Sequence, residues 1–218
     1  MSRALGTEEM SEVPPVEAPV LTRYSEADVP TEYGTFRIVV YRENSDPSGA
    51  IEHCAIVKGD VGAAQNLLIR VHSECFTGEA LHSLKCDCRE QLDQALRVIS
   101  EEGQGAVLYL RQEGRGIGLG NKIRAYALQQ QGVDTVDANL RLGFAADGRK
   151  YHVASAMLAD LNVLSVRVLT NNPDKVDALR ADGVLVSGRV GMDVIPNQHN
   201  RGYLDTKRQR MGHLIRAR

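Results

Sequence analysis

The sequence predicts an α/β (α+β) protein on a mixed β-sheet, with a strand-rich N-terminal half and strand-loop-helix units in the C-terminal half. Three observations carry this. Short β-rich runs alternate with helical patterns from Thr31 onward. Two segments pass from an apolar strand through a loop rich in glycine or asparagine into a helix. The 218 residues are 43% hydrophobic and 25% charged, enough to bury a core and near the globular average, which excludes a collagen-like or wholly disordered chain.

The first 30 residues hold four of the seven prolines and six acidic residues against Arg3 and Arg23, a net of −4. Such a stretch buries too little apolar surface to offset ordering entropy, so residues 1–30 are expected to be a flexible acidic tail and residues 31–218 the folded domain. Phe36–Tyr41, Ala55–Lys58 and Leu67–Val71 read as strands. Asp87 is placed to cap a helix whose Leu92, Leu96 and Ile99 share a face before Gly103 ends it. Ala106–Leu110 reads as a buried strand, after which a glycine-rich turn leads to a helix capped by Asn121 and ended by Gly132. The second unit runs from strand Val166–Leu169 into helix Lys175–Ala181, with Gly183 past its end and a strand at Val184–Val186.

No run of about 18 apolar residues and no secretory leader is present, which points to a cytoplasmic protein with no membrane partner. A net charge of −2 gives no support to nucleic-acid binding. The last 18 residues carry a basic surplus, including Arg201, Lys207, Arg208 and Arg210, that suits either a small polyanion or a solvated face.

Cys75, Cys86 and Cys88 form a C-x10-C-x-C pattern in a chain where disulfides are not expected. Spacing alone leaves two readings open, a three-thiolate zinc site with an open fourth position or small buried thiols. His72 and His82 are near enough in sequence to be a fourth ligand, whereas Cys54 lies in an apolar run and reads as core. Glu113–Lys122 follows a strand and opens a helix, so its backbone N–H groups could hold a phosphate, although it matches neither a P-loop nor a dinucleotide fingerprint. Thr170–Lys175 is a second anion candidate, with Asn172 as cap, Pro173 at the first helical position and Lys175 opposing the helix dipole unless an anion sits there.

In order along the chain, Arg70-Val-His-Ser-Glu-Cys75, Lys85-Cys-Asp-Cys88, Gln91, Arg111-Gln-Glu-Gly-Arg115, Asn121–Leu128, Asp134-Thr135, Leu142–Arg149 and Thr170-Asn-Asn-Pro173 resemble the GTP cyclohydrolase II family. The resemblance extends through Tyr203–Lys207 and Met211-Gly-His213. It implies hydrolysis of GTP that opens the imidazole ring, releases formate and diphosphate, and begins riboflavin synthesis from a diaminopyrimidine. It further implies one Zn2+ per chain on Cys75, Cys86 and Cys88, activating water, and Mg2+ with the triphosphate.

Carried over position by position, the resemblance makes Arg149 the group that attacks the α-phosphate, Asp147 the acceptor of its proton, and Tyr126 a proton-transfer or orienting hydroxyl. The implied GTP contacts are Arg70, Val71, His72, Ser73, Glu74, Gln91, Glu113, Gly114, Arg115, Thr135, Thr170 and Lys175. A monofunctional homodimer is expected. The alternatives are a non-catalytic zinc-containing guanine-nucleotide module and a variant that releases diphosphate but keeps the formyl group. Arg89 after Cys88 and the Gly116–Gly120 loop depart from the family pattern.

Overall fold

The computed structural model describes residues 21–43, 50–145, 147–193 and 195–214. Seven strands form one mixed sheet in the order β1-β2-β3-β5-β4-β6-β7. The antiparallel half comprises β1 (Leu21–Thr31), β2 (Gly34–Glu43), β3 (Ile51–Lys58) and β5 (Gly105–Leu110). From β5 the sheet continues in parallel through β4 (Leu67–Ser73), β6 (Val166–Leu169) and β7 (Val186–Val190). The predicted fold class is the observed one.

Alternation along the strands sends side chains to two cores. Val39, Tyr41, Ile69, Val71, Leu108 and Leu110 pack with Met157 and Leu158 of α6 (His152–Asp160) and Leu179 of α7 (Pro173–Ala181). On the other face, Phe36, Leu68 and Val107 pack with Ala95 and Ile99 of α2 (Cys88–Glu102). Burying one such side chain contributes about 1.5–3 kcal/mol, so each face is held by many interchangeable contacts. The pleat that puts Leu68 toward α2 also puts Arg70 and His72 there, at the carboxyl end of β4. Sites in such sheets form beyond the carboxyl ends of the parallel strands.

Four expectations are corrected. Residues 21–30, expected to belong to a flexible tail, form most of β1, in continuous register with β2 from Leu21↔Glu43 to Thr31↔Gly34. Its side chains are nearly all exposed, so composition carries no burial signal; backbone pairing holds it, and an edge strand tolerates Pro30. Arg23 also pins it, donating to Asp160 at 2.7 and 2.9 Å. Residues 1–20 lie outside the described residues.

Asp87 occupies the cap position of α2 without capping by its side chain, which is bound elsewhere. Asn121 lies inside the first turn of α4 (Gly118–Gln130), where it donates to the Ile117 carbonyl, because the helix begins three residues earlier than expected. The last strand is Val186–Val190 rather than Val184–Val186, since Val184 bonds back to Leu179 beyond the end of α7. No helix among the described residues is long and apolar enough to cross a membrane.

Candidate active site

The thiol end of the cleft is built on one connection. Cys75 follows β4 and precedes the single turn α1 (Phe76–Glu79), and Cys86 and Cys88 flank the start of α2. The three Sγ atoms lie within 4.8 Å of one another, with Cys75 and Cys86 3.7 Å apart. Tetrahedral zinc with bonds of about 2.3 Å needs sulfur-sulfur edges of about 3.8 Å, so the donor set fits that ion. Gly78 keeps the cradle open: a Cβ there would lie 3.0 Å from Cys86 Sγ and 3.1 Å from Cys75 Sγ.

Lys122 on α4 donates to Cys75 Sγ at 3.1 Å and to Glu113 Oε1 at 2.8 Å. The Cys86 and Cys88 thiols and this ammonium hold Cys75 far below the usual thiol range, while sharing its charge pushes Cys86 up to about 11. The arrangement therefore favours the thiolate form at Cys75 and opposes it at Cys86 and Cys88, which a bound cation would reverse.

Among the described residues no histidine joins this group. His72 Nε2 is paired with Glu79 Oε1 at 2.7 Å, His82 is exposed, and Cys54 stands on β3 opposite Tyr109. Tyr126, on α4, has its hydroxyl raised to about 12, chiefly by burial, so at neutral pH it is a proton donor.

The other end of the same cleft is cationic. The cleft encloses about 1020 Å³, counting its solvent-facing mouth, and Arg70, Arg115, Arg149, Lys175 and Lys207 all line it. Arg70 donates to Gln91 Oε1 at 2.5 Å and to the Leu169 carbonyl at 2.9 Å; Lys175 Nζ donates to the Val71 carbonyl at 2.8 Å. Neither has an acidic partner among the described residues. Burial lowers the Arg70 guanidinium to about 10, and burial with Arg70, Arg149 and Lys207 nearby drives Lys175 well below the usual lysine range. Such a cluster is costly until an anion enters.

Arg149 sits on a turn locked to the glycine-rich loop. Gly148 N donates to the Arg115 carbonyl at 3.1 Å, and a Cβ on Gly116 would meet the Gly148 carbonyl oxygen at 2.9 Å. Gly114, Arg115 and Gly116 all have left-handed φ, the conformation that lets the chain turn this closely. The Arg149 Nε and Nη2 groups both pair with Asp147. Burial would lower the Arg149 pKa, but Asp147 outweighs it and holds the guanidinium charged. Asp147 is therefore in position to accept a proton from Arg149 and, at rest, strengthens its charge.

The expected residues fall as follows. Arg70, His72, Ser73, Glu74, Gln91, Gly114, Arg115, Thr170 and Lys175 line the cleft together with the cysteines, Tyr126 and Arg149. Glu113 also lines it, but its carboxylate accepts from Phe76 N at 2.6 Å, Gly114 N at 2.8 Å and Lys122. Val71 points into the core and offers only its carbonyl, and Asp147 stands behind Arg149. Thr135 opens α5 (Thr135–Arg141), capped by Asp134.

Sequence reading did not single out Lys122, Tyr203, Lys207 or His213 as lining residues, and placed Asn171 and Asn172 only within an anion-binding candidate segment. The basic surplus near the C-terminus was the signal for Lys207. Buried polar atoms without a partner gather here too: Arg70 Nε, His72 Nδ1, Asn172 Nδ2 and His213 Nε2.

GTP cyclohydrolase-2 of Actinobacillus succinogenes is 54% identical over 195 residues, covering 89% of this chain and 88% of that one. The riboflavin biosynthesis protein RibBA of Phocaeicola vulgatus is 49% identical over 190 residues, 87% of this chain and 46% of that one. A solved structure of RibBX, a two-domain 3,4-dihydroxy-2-butanone 4-phosphate synthase from A. baumannii, aligns at 20% identity over 80% of this chain and 41% of that one, with a TM-score of 0.47. Residues 22–191 match the sequence profile of GTP cyclohydrolase II, and with half-identical relatives spanning nearly their whole length, the chain belongs to that enzyme family.

Proposed function

We propose that the protein hydrolyses GTP to formate, diphosphate and 2,5-diamino-6-(5-phosphoribosylamino)pyrimidin-4-one, the first step of riboflavin synthesis, in the cytoplasm. The observation that carries this reading is one cleft holding a zinc-shaped thiol triangle at one end and, at the other, five clustered cations of which Arg70 and Lys175 have no acidic hydrogen-bond partner among the described residues. A purine triphosphate is a ligand that needs both. The names of the relatives from Actinobacillus and Phocaeicola support the activity and the pathway.

Cys75, Cys86 and Cys88 would hold one zinc ion, which supplies a water of lowered pKa and leaves Mg2+ to the triphosphate. Arg70, Arg115 and Lys175 bind phosphate oxygens, and Gln91 keeps Arg70 in place. Arg149 bonds to the α-phosphorus as its proton passes to Asp147 and diphosphate departs, and a water then cleaves the nitrogen–phosphorus bond to release the monophosphate and restore Arg149. The Tyr126 hydroxyl donates to the base as its ring opens. The chain works as a homodimer through the face where α4 exposes Leu119 (39%) and Ile123 (48%) beside Phe76.

The test is to incubate purified protein with GTP and Mg2+ and assay formate, diphosphate and the pyrimidine separately. Equal yields of all three support the reading. Diphosphate without formate points to the variant that retains the formyl group, and binding with no product points to a non-catalytic module.

A further inference from the structure

The far wall of the cleft comes from a segment beyond residue 191, where the family profile ends. This is α8 (Arg201–Arg210) with the turn that follows it. The helix is largely polar, yet Lys207 is only 7% exposed. Its Nζ donates to Asp87 Oδ1 at 2.7 Å and lies 4.4 Å from the Tyr203 ring centroid. An ammonium has three N–H donors, so two remain for the cleft that Lys207 lines.

The segment is fastened to three loops that carry expected GTP contacts. Lys207 reaches Asp87, which also accepts from Gln91 Nε2 at 2.6 Å, and Gln91 holds Arg70. Arg210 pairs with Asp134, the cap of the helix that Thr135 opens, and with Asp137 at 3.2 Å. Leu214 N donates to the Asn171 carbonyl at 2.8 Å, beside Thr170. His213 Nε2 is buried without a partner in the same cleft. Lys207, Arg149 and Lys175 are all close enough to His213 to help burial hold it down to about 3.

We propose that Lys207 is a substrate-binding residue, donating from α8 to the triphosphate beside Lys175 and Arg149, so that the segment 201–214 completes the site. The inference rests on the GTP reading above. Lys207, its own charge held by Asp87, is one of the cations that crowd Lys175 and His213, and a polyphosphate is the group whose several charges would match that cluster.

The test compares zinc-loaded wild type, Lys207→Met and Lys207→Arg for the KM of GTP and for competition by inorganic triphosphate and by guanosine. Lys207→Gln, whose amide can still reach Asp87, serves if the methionine variant does not fold. Loss of one charge-assisted hydrogen bond should raise the GTP KM and weaken inorganic triphosphate about 10-fold or more, with guanosine and zinc content unchanged. Lys207→Arg should recover most of the loss. Unchanged triphosphate affinity in a folded neutral variant would overturn the proposal, as would loss of zinc or equal weakening of guanosine, which would make Lys207 only a prop for Asp87. Wild type that fails to turn over GTP would overturn the GTP reading itself and needs no variant to show it.

Discussion

The thiol end and the phosphate end of the cleft are assembled in opposite ways. The thiol end comes from one connection, residues 75–88, with α4 adding Lys122 and Tyr126. The phosphate end takes Arg70, Arg115, Arg149, Lys175 and Lys207 from five separate segments, brought together by the carboxyl ends of β4, β5 and β6 and by α8. The first end is shaped for a cation and favours the thiolate form of Cys75. The second is shaped for an anion and buries the basic groups of Arg70 and Lys175 with no acidic hydrogen-bond partner for either among the described residues. Each end is electrostatically incomplete in the opposite sense, so a ligand set of metal and triphosphate completes both.

The largest effect expected from breaking this contrast is at the metal. Cys86→Ser should take zinc from one per chain to near none, while Cys54→Ser, on β3 away from the cluster, should leave it intact. Metal analysis of the folded variants decides, and stoichiometric zinc in Cys86→Ser would break the assignment.

The phosphate end should declare itself by proton uptake. Lys175 lies well below the usual lysine range in the free protein, and an adjacent phosphate raises it, so the complex binds more protons than its parts. GTP affinity should therefore fall as pH rises, the opposite of a site whose lysine is already charged. Calorimetry at pH ~8, above the titration of a terminal phosphate, in buffers of different ionisation enthalpy would read the uptake. Lys175→Met should abolish it, and an absence of uptake in wild type would remove this account of the buried lysine.

The smallest effect is expected at the N-terminus. Deleting residues 1–20 should change turnover by less than about twofold, under the 1.4 kcal/mol of a tenfold change. Deleting residues 1–31 should lower the melting temperature, because it removes β1 and its Arg23 to Asp160 link. Equal behaviour of the two truncations would mean that β1 contributes nothing to stability.

The same contrast explains what could be read from sequence. The cysteine spacing is local, so a zinc site was one of two open readings before any resemblance entered, and the strands that turn one face to each core announced themselves by alternation. β1 did not, because nearly every side chain on it faces solvent and only backbone pairing holds it. Lys207 stood in a basic stretch indistinguishable from a solvated face, and its burial depends on Asp87, 120 residues away in sequence. The docking of Gly116 against Gly148 was equally unreadable, since a glycine in a loop looks the same whether it turns freely or admits a neighbouring carbonyl at close range. Family motifs located Arg149 and Lys175; what the structure adds is the absence of an acidic partner for Lys175 and the strong one for Arg149.

The central claim is that the two ends perform separable chemistry, ring opening at the thiols and diphosphate release at Arg149. It is tested most directly by assaying formate and diphosphate in parallel from GTP with folded Cys86→Ser and Arg149→Ala. The account predicts that Cys86→Ser releases diphosphate without formate and that Arg149→Ala releases no diphosphate. Loss of diphosphate release in Cys86→Ser as complete as in Arg149→Ala would contradict it.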